Sequence, residues 1–200
     1  KRQLFFSSHS PLYGNKNRRV FRSKNLKIEN GFLSLEAGLV LLVVALAIVS
    51  AVMYYRDNLR KTSINNNVNQ ILATAGAARS VFGQANQYAQ VTTAIAVSAN
   101  IIPSALRNGS TQTATNNFGG EISVAPANLS GTADGLKITW PNVPSNQCIE
   151  IIMGVQAELR KLQVAGTDIK PLDSNLNIAN TSSQCESSSH VALDLFVGRT

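Results

Sequence analysis

Gly31-Phe32-Leu33-Ser34-Leu35-Glu36 introduces a mostly apolar run that continues from Ala37 to Tyr55, and this stretch decides the fold. The 24 residues from Phe32 to Tyr55 are enough for a helix to cross about 30 Å of hydrocarbon at about 1.5 Å per residue. Glu36 is the only charged residue among them. A carboxylate costs roughly 2–3 kcal/mol or more at the centre of a membrane helix, so we expect Glu36 to have a function and a positively charged partner.

The net charge of +7 lies entirely before the apolar run. Residues 1–31 contain eight Lys or Arg and one Glu, whereas residues 32–200 contain ten basic and ten acidic side chains. Positive residues are retained on the cytoplasmic side of a membrane span. The charge pattern therefore predicts a cytoplasmic N-terminus and a head outside the cytoplasm. A basic arm that binds nucleic acid is the alternative, but the zero net charge of residues 32–200 argues against binding of nucleic acid there.

The apolar run has two other interpretations. A conventional cleaved signal peptide needs small residues after its apolar core. Such a cut site could be supplied by Ala45, Ala47, Ser50 and Ala51. A buried helix of a globular core is disfavoured because the run is apolar on every face. Tyr54-Tyr55 followed by Arg56 favours a membrane span, since aromatic residues collect at membrane interfaces.

The need of Glu36 for a positive charge distinguishes these interpretations. The helix dipole favours a carboxylate in the first turn by only ~0.3–1 kcal/mol, which does not offset burial in lipid. Cleavage after Gly31 would create a new α-amino group on Phe32. In a packed array of such helices, Glu36 of one subunit would neutralise the Phe32 amine of its neighbour and set the register of assembly.

The sequence from Gly31 to Glu36 resembles the processing motif of type IV pilin precursors. In that family a membrane peptidase cuts after the glycine, the new N-terminus is methylated, and the fifth mature residue is Glu. The resemblance implies cleavage between Gly31 and Phe32, N-methylation of Phe32 and an assembly role for the Glu36 carboxylate. A leader of at least 31 residues is similar to the type IVb branch, whereas Phe32 as first mature residue is typical of the branch with short leaders.

The helix is predicted to continue past the membrane, because no proline occurs between Phe32 and Ile102. Apolar residues at steps of three and four predict an amphipathic stripe: Ile64, Val68, Ile71, Ala75, Ala78 and Phe82. A helix from Phe32 to Phe82 would be about 76 Å long. Asn65, Asn66, Asn67 and Asn69 are weak helix formers, so tertiary contacts are needed to hold this part.

Residues 84–117 are predicted to connect this helix to a sheet. They include a short helix within Gln90–Ile102, a turn at Asn108-Gly109 and a solvated loop from Ser110 to Asn117. Phe118-Gly119-Gly120 then leads into a strand, and its glycines predict a close approach of backbones.

The predicted head contains three strands and one helix. The strands are Glu121–Val124, Leu136–Trp140 and Val191–Val197, and Asn142–Pro144 forms a turn after the second. Ser145 is the predicted N-cap of the helix, which carries Cys148 and ends near Arg160, Lys161 and Gly166. An irregular segment precedes the last strand.

Cys148 and Cys185 are the two cysteines of the chain. Both follow the predicted span, on the side of the membrane where disulfides persist, and two cysteines are too few for a tetrahedral zinc site. We therefore predict a disulfide that closes a loop of about 37 residues and stabilises the fold by roughly 3–4 kcal/mol. Their placement also resembles type IVb pilin heads, in which the first cysteine lies on a helix and the second precedes the last strand.

The sequence contains no pattern typical of an enzyme. His190 is the only histidine after the predicted leader, which contains His9, and neither cysteine has a base nearby. Ser187–Ser189 beside His190 are interpreted as a surface loop. Since no phosphate loop, nucleophile elbow or metal motif is present, we expect no enzymatic activity, no cofactor and no metal.

These observations predict an α+β fold, in which a long N-terminal helix packs on a small antiparallel-sheet head with extra helices, as in pilins. Residues 1–31 would form a basic cytoplasmic leader and residues 32–55 the half of the helix that lies in the membrane or the fibre core. Residues 56–83 would form its amphipathic half, and residues 84–200 the globular head.

The resemblance implies a structural subunit of a type IVb-like pilus. The precursor would lie in the inner membrane with its head in the periplasm, and would polymerise with itself into an extracellular fibre. A prepilin peptidase, an assembly platform and a motor would be its partners. Three alternatives stay open: a pseudopilin of a type II-like secretion apparatus, a minor pilin that binds DNA or a surface receptor, and a single-span protein that never polymerises.

Overall fold

The computed structural model describes residues 32–83 and 87–199, with side chains from Glu36 onward. The chain divides into two units, the first ending at Ile48 and the second beginning at Val49. Helix α1 (Phe32–Phe82) has 51 residues and contributes to both units. The described part of the first unit is wholly helical. The predicted leader, residues 1–31, lies outside the described residues.

The predicted stripe of α1 packs into the core of the second unit. Ile64, Ile71, Ala75, Ala78 and Phe82 are buried, and Val68 packs against them. These residues therefore form one face of the helix that packs on the core.

Asn67 supplies the tertiary contact that this weak helix former requires. Its side chain is fully buried, and its Oδ1 accepts a hydrogen bond of 3.2 Å from Trp140 Nε1. Its Nδ2 donates to the Ser63 carbonyl oxygen at 2.8 Å. Neighbouring Asn65 and Asn66 are exposed, so only one of the three consecutive asparagines joins α1 to the head.

The described part of the head contains two antiparallel sheets. A small one pairs β1 (Arg107–Asn108) with β2 (Thr113–Ala114). The main one has the strand order β3-β4-β7-β5-β6. Its strands are β3 (Ser123–Ala127), β4 (Gly135–Pro144), β5 (Lys161–Val164), β6 (Thr167–Lys170) and β7 (His190–Gly198). Every pairing in it is antiparallel, and β7, the predicted final strand, lies at its centre.

Among the described residues, three further helices contact strands of this sheet. They are α2 (Thr93–Ser98), α3 (Ser145–Val155) and α4 (Ile178–Cys185). Short 3-10 turns occur at Gln87–Gln90, Ser104–Leu106 and Gln156–Glu158. The α+β architecture predicted from the sequence is thus confirmed, while several of its boundaries differ.

The predicted extension of α3 through Arg160 and Lys161 is wrong, because the chain from Lys161 onward forms β5. This strand pairs with β7, placing Leu162 opposite Leu195, and the gain of sheet hydrogen bonds outweighs the local helical periodicity. Gly166 does not end a helix. With Ala165 at φ 49° and Gly166 at φ 81°, the pair forms the two-residue turn of the β5–β6 hairpin. Positive φ at both central residues is the requirement of a type I′ turn.

The predictions around Ser145 and for the segment before β7 also need correction. Pro144, not Ser145, is the N-cap of α3 and provides no side-chain hydrogen bond. The predicted turn at Asn142–Pro144 belongs to β4, which continues past an irregularity between Trp140 and Val143. The segment predicted to be irregular contains β6 and α4.

The prediction of a solvated loop from Ser110 to Asn117 is wrong in part, because this segment contains β2, and Ala114 and Asn116 are buried. The Oδ1 of Asn116 accepts hydrogen bonds from the backbone of Phe118 and Gly120, each at 2.9 Å. A Cβ on Gly120 would lie 2.8 Å from the Pro141 carbonyl oxygen. The close approach of backbones predicted from the two glycines is therefore present, at Gly120.

Candidate functional site

The candidate site is an exposed apolar segment of α1, here called the assembly surface and defined as residues 36–55. Each large apolar side chain from Leu39 to Tyr55 exposes between 48% and 73% of its area. Among the described residues, one helix is long enough and apolar enough to cross a membrane, judged by length and composition, and that helix is α1. A helix that is apolar on all faces needs lipid or other apolar helices around it.

The predicted processing residues lie at the start of this helix. Gly31 and the side chain of Phe32 are outside the described part of the structure, although Phe32 begins α1. Glu36 is exposed, and no ion pair involves it among the described side chains. Residues four apart share a helix face, so Glu36 lies on the face of Phe32. Cleavage, methylation and the assembly role of Glu36 stay predictions.

The predicted disulfide is present in the head. Cys148 of α3 and Cys185 of α4 are fully buried and bonded, with their Cα atoms 5.7 Å apart and 37 positions apart in the sequence. The bond joins the two helices and closes a segment that includes the β5–β6 hairpin. Since both cysteines belong to the hydrophobic core, the bond fixes α3 and α4 to each other within that core.

The second half of α1 is held to α3 and the turn after it by contacts that the sequence analysis missed. Arg60 pairs with Glu150, and Arg79 Nη1 pairs with Glu158 Oε2 at 2.8 Å. A Cβ on Gly154 would lie 2.8 and 3.0 Å from the two γ-carbons of Val68. The partners are separated by 79 or more residues in both ion pairs, so no local pattern indicates them.

Asp134 organises the loop between β3 and β4. Its carboxylate accepts hydrogen bonds from the backbone N–H groups of Leu129, Ser130 and Gly131 at 2.7–2.9 Å. These bonds stabilise the ionised form and hold the pKa of Asp134 below its usual value. The three hydrogen bonds therefore hold the backbone of this loop around the Asp134 carboxylate.

The serine-rich segment beside His190 forms an exposed surface, as predicted. Ser187–His190 are all exposed, and Ser189 Oγ lies 3.2 Å from His190 Nδ1. Among the described residues, no group of three or more His, Cys, Asp or Glu side chains is placed to hold a metal ion.

Known proteins are similar to this chain in sequence. The family model described as PilS N terminal matches residues 59–194. The chain is 23% identical over 150 residues to the major structural subunit of bundle-forming pilus of Escherichia coli O127:H6 (strain E2348/69 / EPEC), covering 74% of this chain and 77% of that protein. The protein described by the same words in Escherichia coli O111:H- is 24% identical over 132 residues, which cover 66% of this chain and 68% of the relative.

A solved structure has the same fold. The crystal structure of type IV b pilin from Salmonella typhi has a TM-score of 0.52 at 20% identity, and the match covers 68% of this chain and 99% of that one. The family model also covers more than half of the chain. The chain therefore belongs to the PilS N terminal family and is a type IV pilin.

Proposed function

We propose that this pilin is a structural subunit of a type IVb-like pilus, cleaved between Gly31 and Phe32 and assembled through α1 into an extracellular fibre. One observation carries the proposal: α1 changes character along its length. Residues 37–55 are mostly apolar and are exposed, whereas the stripe from Ile64 to Phe82 packs into the core of the head. The same helix can therefore join a fibre core at one end and hold a folded head at the other.

The energetics of assembly favour a polar contact that sets how neighbouring helices align in the fibre. Apolar helices gain little hydrophobic energy by pairing inside a bilayer, since lipid tails are equally apolar. When the apolar part of α1 moves from the bilayer into the fibre, neighbouring helices replace the lipid acyl chains around it. These apolar contacts do not specify how the helices align. An ion pair between Glu36 of one subunit and the Phe32 amine of the next supplies that alignment, because an unpaired carboxylate among apolar helices is costly.

The precursor has a defined place in the membrane under this proposal. Residues 1–31 stay on the cytoplasmic side because they are basic, residues 32–55 lie in the inner membrane, and residues 56–83 and 84–200 lie in the periplasm. A prepilin peptidase removes the leader and methylates Phe32. A platform and a motor drive extrusion, and the subunit itself catalyses no reaction.

The test combines mass spectrometry with a charge variant. N-terminal mass spectrometry of the protein from membranes and from sheared surface material should give a chain that begins with methylated Phe32. Glu36→Ala should abolish sheared fibres while the precursor still accumulates in the membrane. Asp57→Ala is the matched control, because it removes an exposed carboxylate of the same helix beyond the assembly surface, and fibres should persist.

Two results would contradict the proposal. An uncut leader, or a cut beyond Ala45, would make the apolar run a plain anchor or a secretory signal. Normal fibres from Glu36→Ala would remove the proposed register device.

A further inference from the structure

Asn108-Gly109 lies where β1 ends and the turn of the β1–β2 hairpin begins. Both residues are exposed, and a Cβ placed on Gly109 would meet no heavy atom within 4 Å. The chain contains one other asparagine followed by glycine, Asn30, which lies outside the described residues. In residues 32–200, Asn108 is therefore the one asparagine whose following residue has no side chain to shield the peptide nitrogen.

The hydrogen bonds around this pair leave the backbone nitrogen free and orient the side chain. The Gly109 N–H has no hydrogen-bond acceptor among the described residues. Ser110 Oγ donates a hydrogen bond of 2.7 Å to Asn108 Oδ1, which directs the side-chain carbonyl along the chain toward the turn. A donor at a carbonyl oxygen stabilises the negative charge that develops there during nucleophilic attack. The Gly109 nitrogen is thus a free nucleophile beside a polarised carbonyl group.

Other asparagines of the head lack this combination. Asn116 is buried. Asn117 and Asn128 are exposed, but each is followed by a residue with a large side chain. These three asparagines are internal controls for the chemistry that the surroundings of Asn108 allow.

We propose that Asn108 is a site of spontaneous deamidation in the folded protein, with water as the co-reactant. A base removes the proton of the Gly109 N–H, and the nitrogen attacks Asn108 Cγ. The new N–Cγ bond closes a succinimide ring while the Cγ–Nδ2 bond breaks, and Nδ2 takes up a proton and leaves as ammonia. The reaction needs no catalytic residue, because the reacting atoms belong to adjacent residues and attack is intramolecular.

Water then opens the ring by one of two routes. Attack at Cγ breaks its bond to the Gly109 nitrogen and restores the normal backbone with an aspartate side chain. Attack at the former main-chain carbonyl carbon breaks the bond of that carbon to the same nitrogen, so the backbone runs through Cγ as isoaspartate. Each route converts an amide and water into a carboxylate and ammonium, without oxidation or reduction. The product adds a negative charge to residues 32–200, in which ten basic and ten acidic side chains otherwise balance.

The test is prolonged incubation of the folded full chain in a non-ionic detergent and a mildly alkaline buffer. Brief digestion with chymotrypsin, which cuts after Leu and Phe, then releases the peptide 107–118 with Asn108, Asn116 and Asn117. Tandem mass spectra should assign a gain of about 1 Da to Asn108. This gain should grow with incubation time and be accompanied by isoaspartate at the same position, while Asn116, Asn117 and Asn128 keep their masses.

Two glycine variants test the chemistry. Gly109→Ala places a side chain beside the attacking nitrogen, in open space that accommodates it. It should slow deamidation by about tenfold or more, which corresponds to about 1.4 kcal/mol in the activation barrier. Gly131→Ala is the matched control, because this exposed glycine also has room for a Cβ, with the nearest atom at 3.7 Å. This control should react at the wild-type rate.

Two results would overturn the proposal. One is the absence of a mass gain at Asn108 in the folded chain, and deamidation of a synthetic peptide of the same sequence would then show that the fold protects the site. The other is an equal rate in Gly109→Ala and the wild type, because the reaction would then not depend on access to the nitrogen of residue 109. The site is independent of fibre assembly, so neither result bears on the proposed function.

Discussion

Replacing Asn67 by Ala tests how the second half of α1 is held to the head. Asn67 is fully buried, and its Oδ1 receives the only hydrogen bond recorded for Trp140 Nε1 among the described residues, at 3.2 Å. Alanine removes that acceptor and leaves the indole N–H in an apolar core. The change lies 12 residues beyond the assembly surface, so its first effect is on the stability of the head.

The expected loss follows from two opposing terms. An indole N–H buried without an acceptor costs about 1–3 kcal/mol, while alanine improves helix propensity over asparagine by up to about 0.7 kcal/mol. The free energy of unfolding should thus fall by about 1–2 kcal/mol, which lowers Tm by roughly 2–8 °C in a chain of this size. Asn66→Ala is the matched control. The same substitution at this exposed neighbour should leave Tm unchanged or raise it by about 1–2 °C.

The assay is thermal unfolding in detergent, followed by far-UV circular dichroism and by fluorescence of Trp140, the single tryptophan of the chain. A double-mutant cycle of Asn67→Ala with Trp140→Phe isolates the bond, and we expect a coupling energy of about 1 kcal/mol. A coupling below about 0.3 kcal/mol would show that the two side chains act independently. If Asn67→Ala were as stable as Asn66→Ala, the buried bond would contribute nothing and the reasoning would be refuted.

Three further predictions concern the head and use denaturant unfolding. Converting both Cys148 and Cys185 to Ser should lower the free energy of unfolding by about 2–5 kcal/mol, and an unchanged value would contradict a structural disulfide. Gly154→Ala should cost about 1–3 kcal/mol through overpacking against Val68, and adding Val68→Ala should recover part of it; no recovery would place the strain elsewhere. The pKa of Asp134 is lower in the folded protein than in the unfolded chain, where it is about 4. The ionised carboxylate therefore stabilises the fold above a pH of about 4, and we expect this stability to be lost as the pH falls through the pKa of the folded protein. Asp134→Asn should flatten this acid dependence, and a profile as steep as that of the wild type would exclude the carboxylate as its source.

Several elements were predictable because their signals are local. The buried stripe of α1 repeats at helical spacing over five turns, and no proline interrupts it. The final strand alternates apolar residues from Val191 to Val197, which matches β7. The disulfide followed from two cysteines placed beyond a membrane span, on the side where disulfides persist.

Other elements were missed because non-local contacts decide them. Lys161–Val164 is too short for its alternation to compete with the helical spacing of Leu159 and Leu162, and its pairing with β7 converts it into a strand. Helix α4 has a polar sequence and only a small buried face, comprising Thr181 and Cys185. One signal could have found it: Asn177 is an N-cap whose side chain accepts from the Asn180 N–H at 3.0 Å.

The sequence alone determined the long helix, the two characters of its halves, the candidate processing motif and the type of head. These depend on composition and spacing within a few turns of chain, where helical geometry and transfer from water dominate. Only the tertiary structure decided which asparagine of α1 docks on Trp140, how β5 and β6 extend the sheet, and which acidic residues pair with Arg60 and Arg79. Those contacts join residues far apart in sequence, and their energies arise from burial and packing that exist only once the chain has folded.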